Sequence, residues 1–449
     1  MSESEFAAID EQKFKRFHWL ATLTTGLGVF CDGYDLSSVA LVLPLILASF
    51  GQKSLTGVES AALAASALVG ATAGALVFGI LGQRGRMRFY GYDVLILAVA
   101  ALAQAFAPGI GWLIGIRFVL GFGIGGDYVL SPTIMAEHAN RADRGRALGL
   151  GFGTMWPIGA LASVLLNLAL KAMHMPGDLQ WRIVLAAGAL PALSVVYLRR
   201  QMPETARFLA RIGGEGGEAA RVMQQISGDA AIAAPRSDTR PIRDVLAQHL
   251  RPILSAALLW MIYDLVVYAI ILFGPSLIAR SLGLGPVLFS LLVQVIFVIP
   301  PSVLFSLFLI DRFGRKPLQV WGFLVGAALL AVFALMQRQL LAMPITAFIV
   351  FGLFNVAETG PGLVSGAGIL GVELAPTRIR SIAQSITVAG GRFGAALSAF
   401  GFPLLFAGVG QAGAYWAIVA VSVLGAILTQ VLVPETGQLS LEAITERDL

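Results

Sequence analysis

The chain has 449 residues, of which 57% are hydrophobic and only 13% charged. Soluble domains carry about a quarter charged residues; this deficit, with a mean hydropathy of +0.81, excludes an ordinary soluble enzyme and points to an integral membrane protein. The net charge of +5 does not call for a nucleic-acid partner, because the basic residues gather in loops between apolar segments.

A helix needs about 20 apolar residues to cross a bilayer, whereas a barrel is built from short alternating segments. Long unbroken runs such as SAALAASALVGATAGALVFGIL favour helices. Twelve segments are predicted, at about 19–48, 58–82, 89–108, 110–135, 146–170, 182–198, 252–276, 286–309, 317–337, 342–370, 379–407 and 411–433. The N-terminal MSESEFAAIDEQKFKRF is polar and mixed in charge. It lacks the layout of a cleavable signal peptide, so the first segment is expected to be retained. The loops after segments 2, 4, 8 and 10 carry Arg84, Arg86, Arg88, Arg141, Arg144, Arg146, Arg312, Arg315, Lys316, Arg378 and Arg380. The opposite loops are poor, with Lys53, Lys171, Arg280 and Arg338. Basic loops stay in the cytoplasm, so both termini are expected there.

The apolar pattern breaks once. Residues 199–250 are charged and Gly-rich, and read as a cytoplasmic linker between a six-helix half at 1–198 and another at 251–449. The halves echo each other. QRGRMR and DRFGRK align with Gly85 and Gly314 229 residues apart. Pro203-Glu204-Thr205 recurs as Pro434-Glu435-Thr436 after 231 residues, and Glu137 with Arg144 recurs as Glu373 with Arg380 after 236. Parallel repeats of this kind place a solute site near the midplane between halves.

Acids inside apolar segments are costly and mark function by default. Asp32, Asp35, Asp127, Asp264 and Glu358 qualify. Asp35 and Asp264 are 229 apart, and Asp127 and Glu358 are 231 apart. The repeat therefore predicts that these four line one central cavity. Segment 7 reads Trp260-x3-Asp264-x3-Tyr268, a spacing that stacks all three on one helix face. Asp127 and Ser131 share a face of segment 4 in the same way. Bases at membrane depth are few, chiefly Arg117 and Arg392, each expected to pair with an acid and hold the bundle. Gly70/Gly74, Gly121/Gly125 and Gly149/Gly153 have the four-residue spacing of close helix packing. The lone Cys31 excludes an intrachain disulfide and a thiolate metal site, and the four histidines are scattered. No metal and no cofactor are expected. There is no His pair and no G-x-S-x-G, so an enzyme is not expected either.

The chain resembles the major facilitator superfamily over nearly its whole length. The signatures are Asp311–Lys316 (D-R-x-G-R-K), Arg117–Gly125 (R-F-x-x-G-x-G-x-G), the two P-E-T motifs and Glu373–Arg380 (ELAPTRIR). One departure is Gln83, where the family has Asp in the first-half loop. The latch between cytoplasmic ends is then expected to rest mainly on Asp311. The resemblance gives Glu137, Arg144, Asp311, Arg315, Glu373 and Arg380 gating or structural roles, alongside Arg117 and Arg392.

Within that superfamily, GDYVLS (Gly126–Ser131), W-x3-D-x3-Y in segment 7 and D-x-Y-D at Asp32–Asp35 resemble the phosphate:proton symporters. The resemblance implies that Tyr128, Trp260, Asp264 and Tyr268 contact solute, and that Asp32, Asp35 and Asp127 form the proton route. Ser131, Met155 and Glu358 complete the candidate solute lining. Two departures bear on phosphate. Met155 stands where that family has a Gln ligand, and Gly362 where it has an Asn ligand. The D-G-Y-D form is also similar to the aromatic-acid:proton symporters. The expectation is a proton-coupled symporter of phosphate or an organic carboxylate, working as a monomer in the inner or plasma membrane. Its partners would be a small solute, protons and the bilayer. A carrier of a sugar or organic cation, or a nutrient sensor on the same scaffold, is the alternative.

Overall fold

The computed structural model describes residues 5–228 and 235–446. The side chains at 271–278 and a few further positions, Arg280 among them, lie outside the described residues. Among the described residues there is no strand, and ten helical stretches are long and apolar enough to cross a membrane. In chain order the helices are α1 (Arg16–Ser49), α2 (Gly57–Leu81), α3 (Tyr92–Gln104), α4 (Ile110–His138), α5 (Arg144–Ala172), α6 (Gly177–Arg199), α7 (Leu250–Ser281), α8 (Val287–Phe313), α9 (Arg315–Ala342), α10 (Pro344–Thr359) and α11 (Arg380–Leu432). The ten comprise α1 to α9, α3 counted from Arg86, and the later part of α11 from Leu404.

Local chemistry sets several boundaries. Thr56 caps α2 by accepting from the Glu59 backbone N–H, while the Glu59 carboxylate accepts from Thr56 N–H at 2.9 Å, a reciprocal capping box. Segment 10 is shorter than expected. It stops at Thr359, and Gly360-Pro361-Gly362 leads into the short helices Leu363–Gly366 and Ile369–Glu373. Proline disfavours helical backbone in the residue before it. Segments 11 and 12 run as one stretch whose helical backbone is interrupted at Gly410, φ 71°, a left-handed conformation that suits glycine. α5 carries a π-helical turn at Gly149–Thr154. Such wide turns often occur at functional sites.

Glycines determine how closely the helices approach. A Cβ on Gly70 or Gly74 of α2 would collide with the Phe118 or Phe122 carbonyl of α4; Gly121 and Gly125 face the Ala67 and Ala71 carbonyls in return. Gly33 of α1 meets the Trp156 carbonyl of α5, and Gly159 of α5 meets the Phe30 carbonyl. The α1 acids are thereby held against the bundle. One end of the bundle collects the arginine-rich loops, the described part of the linker and the described residues nearest both termini. There Arg207 reaches Asp10 at 2.7 Å and Glu442 at 2.9 Å. Phe6 and Ile9 pack with Leu209 and Met223 in a small apolar cap.

Candidate solute site

At the centre, α7 presents the predicted stripe. The Trp260 indole N–H donates to Asp264 Oδ1 at 3.2 Å. The other oxygen of Asp264 faces Arg392 Nη2 of α11 at 3.1 Å. Arg392 Nη1 donates to the Tyr268 hydroxyl at 3.0 Å. The guanidinium lies 4.7 Å from the Tyr128 ring centroid, 5.8 Å from Trp260 and 5.9 Å from Tyr268. Phe152, on the π-helical turn of α5, stands edge-on to Tyr128 at 4.6 Å. Trp260 has Gly368 and Gly391 against its ring, so no side chain from those positions intervenes. Arg392 is 4% exposed and Asp264 2%. The site is therefore a closed aromatic cluster around one guanidinium and one carboxylate. Arg392, expected to hold the bundle, belongs to this cluster.

The other acids lie elsewhere. Asp127 pairs with Arg199 of α6, and Arg199 also reaches Asp93 of α3 at 3.0 Å. Ser131 donates to Asp127 at 2.6 Å and meets the Tyr90 hydroxyl at 2.8 Å. It belongs to this charge cluster and not to the Trp260 stripe. Arg199 stacks 3.7 Å from the Tyr90 ring centroid. The pair presses against Gly28 of α1, where a Cβ would overlap it. Gly28 is one helical turn from Asp32. Asp32 and Asp35 are fully buried, and no carboxylate oxygen of either has a hydrogen-bond partner. The Asp35 carboxylate lies against Gly188, where α6 is divided into two helices. Arg117 Nη1 approaches the Asp35 backbone carbonyl at 3.5 Å.

The expected ring of four acids is thus not formed. Glu358 turns its Oε1 toward Gly326 of α9, and its backbone carbonyl accepts from Tyr263 at 3.1 Å. The helix break at Gly360 lies just beyond it, and the acid sits on the face toward α9. Met155 likewise packs its Cγ against Gly26 of α1.

The arginine-rich end is closed by two matching carboxylates. Glu137 takes Arg86 at 3.1 Å, Arg380 at 2.9 Å and the Thr205 hydroxyl at 2.5 Å. Glu373 takes Arg315 at 3.1 Å, Arg144 at 2.7 Å and the Thr436 hydroxyl at 2.5 Å. In each case one arginine comes from the opposite half. Glu204 accepts from Met87 N–H, and Glu435 from Arg315 and Lys316 N–H. Asp311 accepts from Gly145 N–H at 3.0 Å, Arg146 N–H at 2.7 Å and Arg315 at 2.8 Å. Its counterpart Gln83 donates to Ser381 at 2.8 Å.

A family profile described as sugar (and other) transporter matches residues 21–447. The chain belongs to this family, within the major facilitator superfamily. This transporter is 30% identical to probable inorganic phosphate transporter 1-6 of Arabidopsis thaliana, over 98% of this chain and 95% of that one. It is 32% identical to probable inorganic phosphate transporter 1-10 of Oryza sativa subsp. japonica, over 97% and 91%. Among solved structures, the proton:xylose symporter XylE bound to 6-bromo-6-deoxy-D-glucose has the same fold, with a TM-score of 0.79 at 22% identity, covering 95% of this chain and 99% of that one. Inward-open XylE from E. coli gives 0.66 at 21% identity, with coverage of 95% and 99%. The family is one of transporters rather than enzymes.

The residues that sequence reasoning missed are Arg199, Asp93 and Phe152. Arg199 and Asp93 stand near helix ends, where charge ordinarily faces water. Phe152 gave no signal among so many aromatics.

Proposed function

We propose that this chain is a proton-coupled symporter of a small anion, phosphate or an organic carboxylate, working by alternating access. The observation that carries the reading is Arg392, buried among aromatic rings with Asp264 as its counter-charge. A buried guanidinium is a fixed electrostatic target for an oxyanion. The phosphate transporters among the relatives support an anion, and XylE's description as a proton symporter supports coupling.

In this reading twelve spans are formed, α10 and the two arms of α11 supplying the last three. The arginine-rich end faces the cytoplasm with both termini, in the plasma or inner membrane. The two latch glutamates close that end, which supports a state shut to the cytoplasm. One copy contains both halves of the path, which supports the monomer as the working unit. Asp32, Asp35 and Asp127 form the proton route along α1 and α4. An ionised carboxylate without a partner is costly to bury. A proton arriving from outside neutralises Asp32 or Asp35 and lowers the cost of closing the bundle. After the latches open, the proton leaves inward and the anion follows.

The test is uptake into proteoliposomes with an imposed pH gradient, inside alkaline. Accumulation of labelled benzoate or phosphate above its equilibrium level, abolished by a protonophore, is expected. Uptake of either anion that ignores the gradient refutes the coupling. Accumulation of xylose and of neither anion would favour a sugar carrier, the reading suggested by the family profile and by XylE.

A further inference from the structure

We propose that Arg199 is a positioning residue of the proton route: it holds Asp127 as the carboxylate while the latches are shut, and it is the counter-ion that displaces the proton from Asp32 when they open. This rests on the proton-symport reading above. The case starts from the charges. Asp32, Asp93 and Asp127 gather around one guanidinium, that of Arg199, while Arg117 is turned to the Asp35 backbone carbonyl. Three buried carboxyl groups cannot all be ionised against one cation without a large cost. The arginine and protons therefore compete for them.

An ion pair serving only the fold would be closed on itself, and this one is not. Nη1 goes to Asp93 at 3.0 Å, and Nη2 to Asp127 and to Ser131 Oγ at 3.0 Å. Nε and Asp127 Oδ2 are buried without a partner. Asp93 has a second donor, the Gly91 N–H at 2.6 Å, and does not depend on the arginine alone. Toward α1 only Gly28 intervenes: a Cβ there would overlap both Arg199 Nη2 and Asp127 Oδ2. Asp32 is one turn further along α1, with both carboxyl oxygens unpartnered. The other titratable groups here are Tyr90, whose ring the guanidinium covers, and Cys31 and Asp35 beside Asp32 on α1. From α2, Phe78 faces Gly126.

The segments that hold Arg199 are tied to a latch. Arg86 and Thr205 both bind Glu137, and Arg380 of the opposite half shares Glu137 Oε1 with Arg86. Tyr90 follows Arg86 by four residues, and Arg199 precedes Thr205 by six. When Arg380 leaves on opening, both segments re-seat on Glu137 and carry the guanidinium across the gap at Gly28. The O–H bond of Asp32 then breaks and its proton passes to water at the open end. The carboxylate left behind is paired by Arg199, which stays charged throughout.

The experiment is uptake of labelled phosphate and of labelled benzoate into proteoliposomes of the full chain, at fixed external pH and a series of internal pH values. Uptake rises with internal pH as proton release becomes easier, and the readout is the midpoint. Arg199→Gln removes the counter-ion and should move the midpoint to higher internal pH by about one to three units, the effect of an opposite charge beside a carboxylate. Arg199→Lys keeps the charge and should reverse most of that shift, at a lower rate. Asp93→Asn leaves Arg199 with Asp127, removes a competitor for the guanidinium and should move the midpoint to lower internal pH. Should Arg199→Gln not fold, Asp93→Asn alone decides. Variants that lose rate or Tm with the midpoint unmoved would make Arg199 a structural ion pair and overturn the inference, leaving symport standing. A wild type whose uptake of both anions ignores internal pH would overturn both.

Discussion

The two halves contain matching acids in very different company. In the N-terminal half, Asp32, Asp35, Asp93 and Asp127 share the interior with Arg117 and Arg199, and the first two have no hydrogen-bond partner on their carboxylates. In the C-terminal half, Asp264 is tied to Arg392 inside an aromatic cluster, and Glu358 is turned aside toward Gly326. Repetition of sequence has placed the acids at matching chain positions but not in matching surroundings. One half is rich in buried carboxylates; the other holds a cation among aromatic rings. The symport proposed above would draw on both, and an exact repeat would supply only one of them twice.

The contrast can be broken most severely at Arg392. Arg392→Met leaves Asp264 buried without its counter-charge, which costs about 3–5 kcal/mol. A large fall in Tm and complete loss of uptake are expected. Adding Asp264→Asn should restore most of the Tm but none of the transport, showing that the cation serves the solute as well as the fold.

On the other side, Asp35→Asn removes a titratable group without removing volume. Proton-driven accumulation should disappear while solute exchange across equilibrated vesicles persists. Asp127→Asn is expected to do the same and to lower Tm further, because it leaves Arg199 with only Asp93. Retention of uphill uptake in both variants would show that Asp35 and Asp127 are not the coupling groups.

Smaller effects belong to the closed end. Glu373→Gln and Glu137→Gln each weaken two arginine contacts, one within a half and one between halves. Spin labels at Arg88→Cys and Arg312→Cys, both exposed, should report a longer mean distance in each variant. The smallest contrast is between the counterparts Asp311 and Gln83. Removing Asp311 by alanine loses three bonds, one of them to Arg315, at about 1.5–3 kcal/mol for hydrogen bonds to a charged group. Gln83→Ala loses one neutral bond, about 1 kcal/mol. The label distances should rank Asp311→Ala well above Gln83→Ala.

Much of this was legible in the sequence. Apolar runs located the helices, and the Trp260-x3-Asp264-x3-Tyr268 stripe gave one wall of the site because helix periodicity fixes its face. The echo of Glu137 with Arg144 in Glu373 with Arg380 marked latch residues, although neither their partners nor the sharing of each glutamate across the halves followed from it. Side-chain direction was the main gap. Glu358 occupies the repeat position of Asp127, yet the helix break at Gly360-Pro361 accompanies a different orientation. Arg199 and Asp93 gave no signal in the sequence because both sit near helix ends, where charge ordinarily faces water. In fact a long side chain at the last turn of α6 reaches back over the Tyr90 ring to two acids. Such a reach depends on packing, which periodicity does not encode.

The shared latch has a kinetic consequence. Because Glu137 grips Arg380 and Glu373 grips Arg144, neither interdomain contact can be released by moving one loop. Separation of the halves strains both together, so partial opening forfeits contacts before water can replace them. In the alternating-access reading, switching is then expected to be cooperative, and the carrier should spend little time leaking ions through an intermediate gap.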